Sequence, residues 1–138
     1  MAGIKRKRRI FMALTIGLMI AIFLFSSQPG DESSSASFFL ARFLVPLFGT
    51  DLAQLIVRKG AHFTIYMVLG FCVYPCFDDR KKFWLAFLVC VLYACSDEVH
   101  QLFVAGRSGR LLDVLIDSLG SLSGLAVSCL LNNFIKKG

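Results

Sequence analysis

Four long runs of apolar residues, each bounded by charge, constrain this chain more than any other feature. "IFMALTIGLMIAIFLF" (10–25) is followed by "AHFTIYMVLGFCVYPCF" (61–77), "FWLAFLVCVLYACSDEVHQLF" (83–103) and "LLDVLIDSLGSLSGLAVSCLLNNF" (111–134). A helix needs about 20 mostly apolar residues to cross a hydrocarbon layer about 30 Å thick. Within that layer every backbone N–H and C=O must find a partner inside the protein, which leaves helices or closed barrels. The composition agrees, with 57% hydrophobic and 17% charged residues against roughly 25% charged in a soluble domain. The expected fold is all-α: an integral membrane four-helix bundle forming one domain over residues 1–138. Its spans are expected at about 10–25, 58–77, 83–103 and 111–134, the second helix starting near a capping pair, Asp51 and Gln54.

The basic residues set the expected direction. "KRKRR" (5–9), the "RKK" within "DDRKK" (78–82) and "KK" (136–137) flank one side of the spans. Arg42, Arg58, Lys59, Arg107 and Arg110 fall on the other. Lysine and arginine near span ends favour the cytoplasm, so both termini are expected there. The net charge of +6 lies in short flanks rather than on a face with interleaved aromatics, so no nucleic-acid partner is expected. A cleavable signal peptide competes for the first run, because "SSSAS" supplies small residues. Yet 16 apolar residues exceed the usual 7–15-residue core of such a signal, which favours an uncleaved anchor. The five cysteines lie in apolar runs without paired CxxC spacing and read as small hydrophobes.

"DESSSASFFLARFLVPLFG" (31–49) is too short to span before Pro46 interrupts it. Ser33 to Ser35 offer N-caps, and Asp31 and Glu32 suit a helix N-terminus. A helix over about 34–48 is expected to lie on the outer interface, with Phe38, Phe39, Phe43 and Leu47 in the membrane and Arg42 toward water. An ordinary loop packed on the bundle is the plainer alternative.

With four spans, the ionisable residues gather in one outer layer. Arg58 and His62 are four apart on one helix, with Lys59 nearby; Asp97 and Gln101 are four apart on another, and His100 is three from Asp97. Asp113, Asp117, Gly120 and Gly124 form a stripe on the last helix, where the "GSLSG" spacing suits close helix packing. Each charge at such depth costs about 2.5–3.5 kcal/mol on insertion scales. Arg58, Lys59, Arg107 and Arg110 balance Asp97, Glu98, Asp113 and Asp117, so a purely structural ion-pair network is a serious reading. His62, His100 and Gln101 are not needed for such pairing.

"RKGAHFTIYMVLG" (58–70) and "SDEVHQLFVAGRSGRLLDVLIDSLG" (96–120), preceded by "FSSQPG" (25–30), resemble the VanZ-like family of small bacterial membrane proteins. The likeness falls on Arg58, Lys59, Ala61, His62, Phe63, Tyr66, Leu69 and Gly70. It continues on Asp97, Glu98, His100, Gln101, Phe103, Gly106, Arg107, Asp113, Asp117 and Gly120. Ala105 departs from the family, many members of which have proline there. The resemblance implies a role in the bacterial cell envelope, on the outer side of the plasma membrane. Through the founding member it also implies a link to resistance against the glycopeptide antibiotic teicoplanin.

Three functional readings follow. In the first, the basic residues bind an anionic headgroup: a membrane lipid, a lipid-linked cell-wall precursor, or a glycopeptide antibiotic whose acyl chain lies beside the bundle. The binding set is then Arg58, Lys59, His62, Asp97, Glu98, His100, Gln101, Arg107, Asp113 and Asp117. In the second, His62 or His100 is a general base oriented by Asp97 or Glu98, with His62 and Glu98 the first choices. The histidines and some of the carboxylates could alternatively ligate a divalent metal, although no cofactor or metal is expected. In the third, the intramembrane carboxylates serve a small ion-coupled transporter.

Overall fold

The structure, a computed structural model, describes residues 2–77 and 82–137, with side chains for 5–30, 37–77 and 82–134. The basic flank at 78–81 and the side chains of Asp31 to Ser35 lie outside the described residues. Six α-helices follow in order: α1 (Ala2–Ser26), α2 (Gly30–Ala41), α3 (Val45–Phe48), α4 (Thr50–Val73), α5 (Lys82–Gln101) and α6 (Leu111–Lys137). A 3-10 turn, Tyr74–Cys76, continues α4. No strand occurs among the described residues. Four stretches are long and apolar enough to cross a membrane: Lys5–Ser26, Thr50–Cys76, Lys82–Gln101 and Leu111–Phe134.

The helix ends follow local chemistry. Pro29, at φ −53° and ψ 150°, is the N-cap of α2, a conformation that its ring favours. Ser33 to Ser35 therefore lie inside the helix rather than capping it, and α2 begins before the expected residue 34. The helix also breaks at Arg42–Leu44, so the expected single helix over 34–48 is two. Gly49 adopts φ 77° between α3 and α4, a backbone state that side chains resist. It is the N-cap of α4 and no side chain caps that end; Asp51 and Gln54 thus do not form the expected capping pair. Asp51 remains in the first turn, where a carboxylate complements the helix dipole.

The main seam joins α4 to α6 along small residues. A methyl group added at Gly70 would collide with the Ser121 backbone, at Gly120 with the Phe63 carbonyl, and at Gly124 with the Met67 carbonyl. The glycine stripe of α6 is thus a line of backbone contact, the device on which membrane helices rely when surrounding lipid is as apolar as their side chains. On α5, Ala86, Cys90 and Ala94 are fully buried at four-residue intervals and meet a core of Tyr66, Leu69, Val73 and Leu125. Ile22 brings α1 into that core, and the Tyr93 hydroxyl donates to the Met19 carbonyl at 2.5 Å. Outward, Phe25, Trp84, Leu92, Leu119 and Phe134 are exposed, as a lipid-facing surface requires. All five cysteines are free.

The amphipathic segment packs one side of α2 on α4, burying Ala41 and Ser37, and exposes Phe38, Phe39, Phe43 and Leu47. The Arg42 guanidinium lies 4.4 Å and 4.8 Å from the Phe39 and Phe43 ring centres. It covers the aromatic face instead of turning away from it, an arrangement favoured by cation–π attraction.

Candidate functional site

The polar residues of α4, α5 and α6 come together at the end of the bundle where α1 stops and the 102–110 turn crosses over. Gly106 holds φ 73° in that turn, and the Gly30 N–H donates to the Ala105 carbonyl at 3.0 Å, tying the turn to the start of α2. Arg107 then reaches back to α1. Its Nε donates to the Gln28 carbonyl at 3.0 Å and its Nη2 to the Phe25 carbonyl at 2.9 Å. The Phe25 carbonyl also accepts the Gln28 N–H at 3.3 Å, and a cation at this carbonyl end of α1 is favoured by the helix dipole. Burial, and next the adjacent Arg58, pull the Arg107 guanidinium below its ordinary range.

Beneath that turn, α5 contributes three buried polar side chains from its last turns: Asp97, Glu98 and Gln101. The Gln101 Nε2 donates to Ser26 Oγ at 2.8 Å and to Asp97 Oδ2 at 3.3 Å. Glu98 Oε2 accepts the Arg110 backbone N–H at 2.7 Å, across the turn that starts α6. The other oxygens, Asp97 Oδ1 and Glu98 Oε1, are buried and have no partner among the described residues. From α6, Asp117 is fully buried and lies 3.2 Å and 3.4 Å from His62 Nδ1 through its two oxygens. One turn earlier Asp113 pairs with the Lys59 ammonium.

The expected mutual neutralisation of four cations by four carboxylates does not occur among the described residues. Lys59 with Asp113 is the sole Lys–carboxylate or Arg–carboxylate pair among them, the other ion pair being His62 with Asp117. Arg107 is spent on helix-end carbonyls, and Arg110 turns its Nε to Ser108 Oγ at 3.3 Å. Arg58 is exposed and makes no hydrogen bond or ion pair with another described residue. The reason is geometric: the arginines sit on the rim or in the turn, whereas Asp97, Glu98 and Asp117 face inward from helix sides. A network reading from charge balance is thereby corrected.

A cavity of about 440 Å³ opens at this end between α1, α2, α4 and the turn. Arg58 and Arg107 line it together with His62, Asp97 and Tyr66, while Ile22, Phe25, Leu40, Val57 and Ile65 supply apolar wall. A shallower apolar groove, lined by Leu18, Thr64 and Val68 among others, shares Leu40, Val57, Ala61 and Ile65 with the cavity. The two therefore adjoin along α4, an arginine-lined cavity beside an aliphatic trough.

Of the expected residues, Arg58, His62, Asp97 and Arg107 line the cavity, while Glu98 and Asp117 lie close to His62 without lining it. His62, Glu98 and Asp117 each offer a ligand atom within 4.8 Å of the others. His100 is placed apart from both: its Nε2 lies 3.0 Å from Ser27 Oγ and its ring stacks on Phe23 at 4.5 Å. It anchors α5 to α1. Tyr66 was not among the expected site residues, yet it lines the cavity, and its buried hydroxyl has no partner among the described residues. Its position four residues after His62, on the same helix face, is the signal that points to it.

A protein-family model described as VanZ/LLP1 matches residues 11–132, nearly the whole chain. No curated protein and no solved structure matches it.

Proposed function

Since the chain belongs to the VanZ/LLP1 family, we propose that it is a VanZ-like protein of a bacterial plasma membrane that binds anionic amphiphiles at its outer face. The observation that carries this reading is that the arginine-lined cavity adjoins the apolar groove along a shared wall of α4. Arg58, which makes no hydrogen bond or ion pair with another described residue, suits a phosphate or carboxylate headgroup, and Arg107 lines the cavity beside it. The trough along α4 suits the hydrocarbon attached to it. A lipid-linked cell-wall precursor and an acyl-bearing glycopeptide such as teicoplanin both have that form.

Native mass spectrometry with a long-chain isoprenyl phosphate as probe tests the reading. Losing a charge-assisted contact worth about 1.5–3 kcal/mol should lower retention in Arg58→Gln by at least about tenfold. Equal retention by the variant and the parent would remove the headgroup assignment. Whether binding underlies teicoplanin tolerance is checked in cells, where Arg58→Gln should lose any tolerance that the parent confers.

The topology has its own test. With both termini cytoplasmic, the 102–110 turn faces outward, and Ser108 is exposed within it. In a cysteine-free background, Ser108→Cys should react with a membrane-impermeant maleimide in intact cells. Reaction only after permeabilisation would invert the bundle and place the cavity in the cytosol.

A second reading, an acid–base enzyme acting on the bound amphiphile, draws on the His62–Asp117 contact. Asp117 engages Nδ1, which leaves Nε2 as the ring nitrogen available for proton transfer. Among the described residues the buried carboxylates stay near one end of the bundle, so ion-coupled transport has less support.

A further inference from the structure

The carboxylates deep to the cavity have a charge balance that lipid binding does not explain. Asp97, Glu98 and Asp117 are 4%, 5% and 0% exposed, and no lysine or arginine side chain pairs with any of them among the described residues. Glu98 is the clearest case. Its Oε2 is occupied by the Arg110 N–H, yet its Oε1 is buried with no partner among the described residues, and its carboxylate lies beside His62 and Asp117. An isolated buried carboxylate oxygen is costly unless a proton or cation meets it.

We propose that His62, Glu98 and Asp117, drawn from α4, α5 and α6, bind a divalent cation. Their ligand atoms lie within 4.8 Å of one another. The 3.2 Å separation of His62 Nδ1 from Asp117 Oδ1 matches two neighbouring ligands on one ion, which lie about 3.0–3.4 Å apart when each bond is about 2.0–2.2 Å. A neutral imidazole with two carboxylates suits an ion of the Mn2+ or Zn2+ kind. Three protein ligands also leave coordination positions open for water, and one of the three, His62, lines the cavity. Lys59, the nearest candidate to compensate instead, is held by Asp113.

The test uses the full chain in detergent, stripped with chelator and titrated with Mn2+ alone or Zn2+ alone, followed by electron paramagnetic resonance and elemental analysis. One equivalent should bind to the parent and raise its melting temperature. Glu98→Gln, which keeps shape while removing charge, should weaken binding by at least about tenfold, as should Asp117→Asn. Asp51→Asn, at an exposed carboxylate far along α4, should bind as the parent does. Failure of the folded parent to bind either ion saturably would overturn the assignment. Binding unchanged in both Glu98→Gln and Asp117→Asn would also overturn it. The readout involves no lipid, so it stands or falls separately from the headgroup site.

Discussion

Gly124→Leu is expected to prevent recovery of a folded, monodisperse protein. Gly124 is buried on α6, and even a single methyl group there would overlap the Met67 carbonyl and crowd the Phe71 backbone on α4. A flexible side chain can swing away from such an intrusion; a helix backbone cannot. The helices would have to separate along their whole seam, losing the close approach at Gly70 and Gly120 as well. Overpacking costs about 1–3 kcal/mol even where neighbours can adjust, so a rigid seam should exceed the upper value. Gly124→Ala should show the same effect in milder form. Gly17 on α1 has no atom within 4 Å of an added methyl, and Gly17→Ala should match the parent or gain slightly from helix propensity. Thermal unfolding followed by size-exclusion chromatography checks the series. A Gly124→Leu protein that melts with the parent would show that α4 and α6 do not meet as described.

Lys59→Met should be the most damaging single change among the charged residues. Lys59 and Asp113 are 21% and 9% exposed at their side chains, and removing the ammonium leaves a nearly buried carboxylate alone. Breaking a buried pair in this way costs about 3–5 kcal/mol, because the remaining charge is stranded. The double variant Lys59→Met/Asp113→Leu should recover most of that loss, since two apolar side chains can replace a buried pair almost neutrally. A denaturant series on the two singles and the double isolates the coupling. If Lys59→Met costs under about 1 kcal/mol, the pair behaves as a surface bridge. Water would then reach this depth of the bundle.

The spacing of residues already announces much of the site. The four-residue step of Arg58 and His62, and the steps of four, three and four through Asp113, Asp117, Gly120 and Gly124, place chemistry on single helix faces, and the structure keeps those faces. His62 does meet Asp117, and Glu98 joins them. Charge balance was the poorer guide: equal numbers of acids and bases suggested pairing, yet two arginines went to a turn serine and to helix-end carbonyls. His100 illustrates the same limit. It lies three residues from Asp97, but its own helix rotation aims it at Ser27 and Phe23 on α1.

The length and greasiness of the four runs were enough to dictate membrane-length helices, because peptide groups in hydrocarbon must bond within their own helix. The glycine stripe likewise announced a face for close packing. The partner of each ionisable side chain depended instead on the height and rotation of one helix against the next. Those follow from backbone contact at Gly70, Gly120 and Gly124 and from the turn held by Arg107, long-range constraints that no local spacing contains. That is why the adjoining cavity and groove, and the unmatched oxygens of Asp97 and Glu98, emerge from assembly of the helices alone.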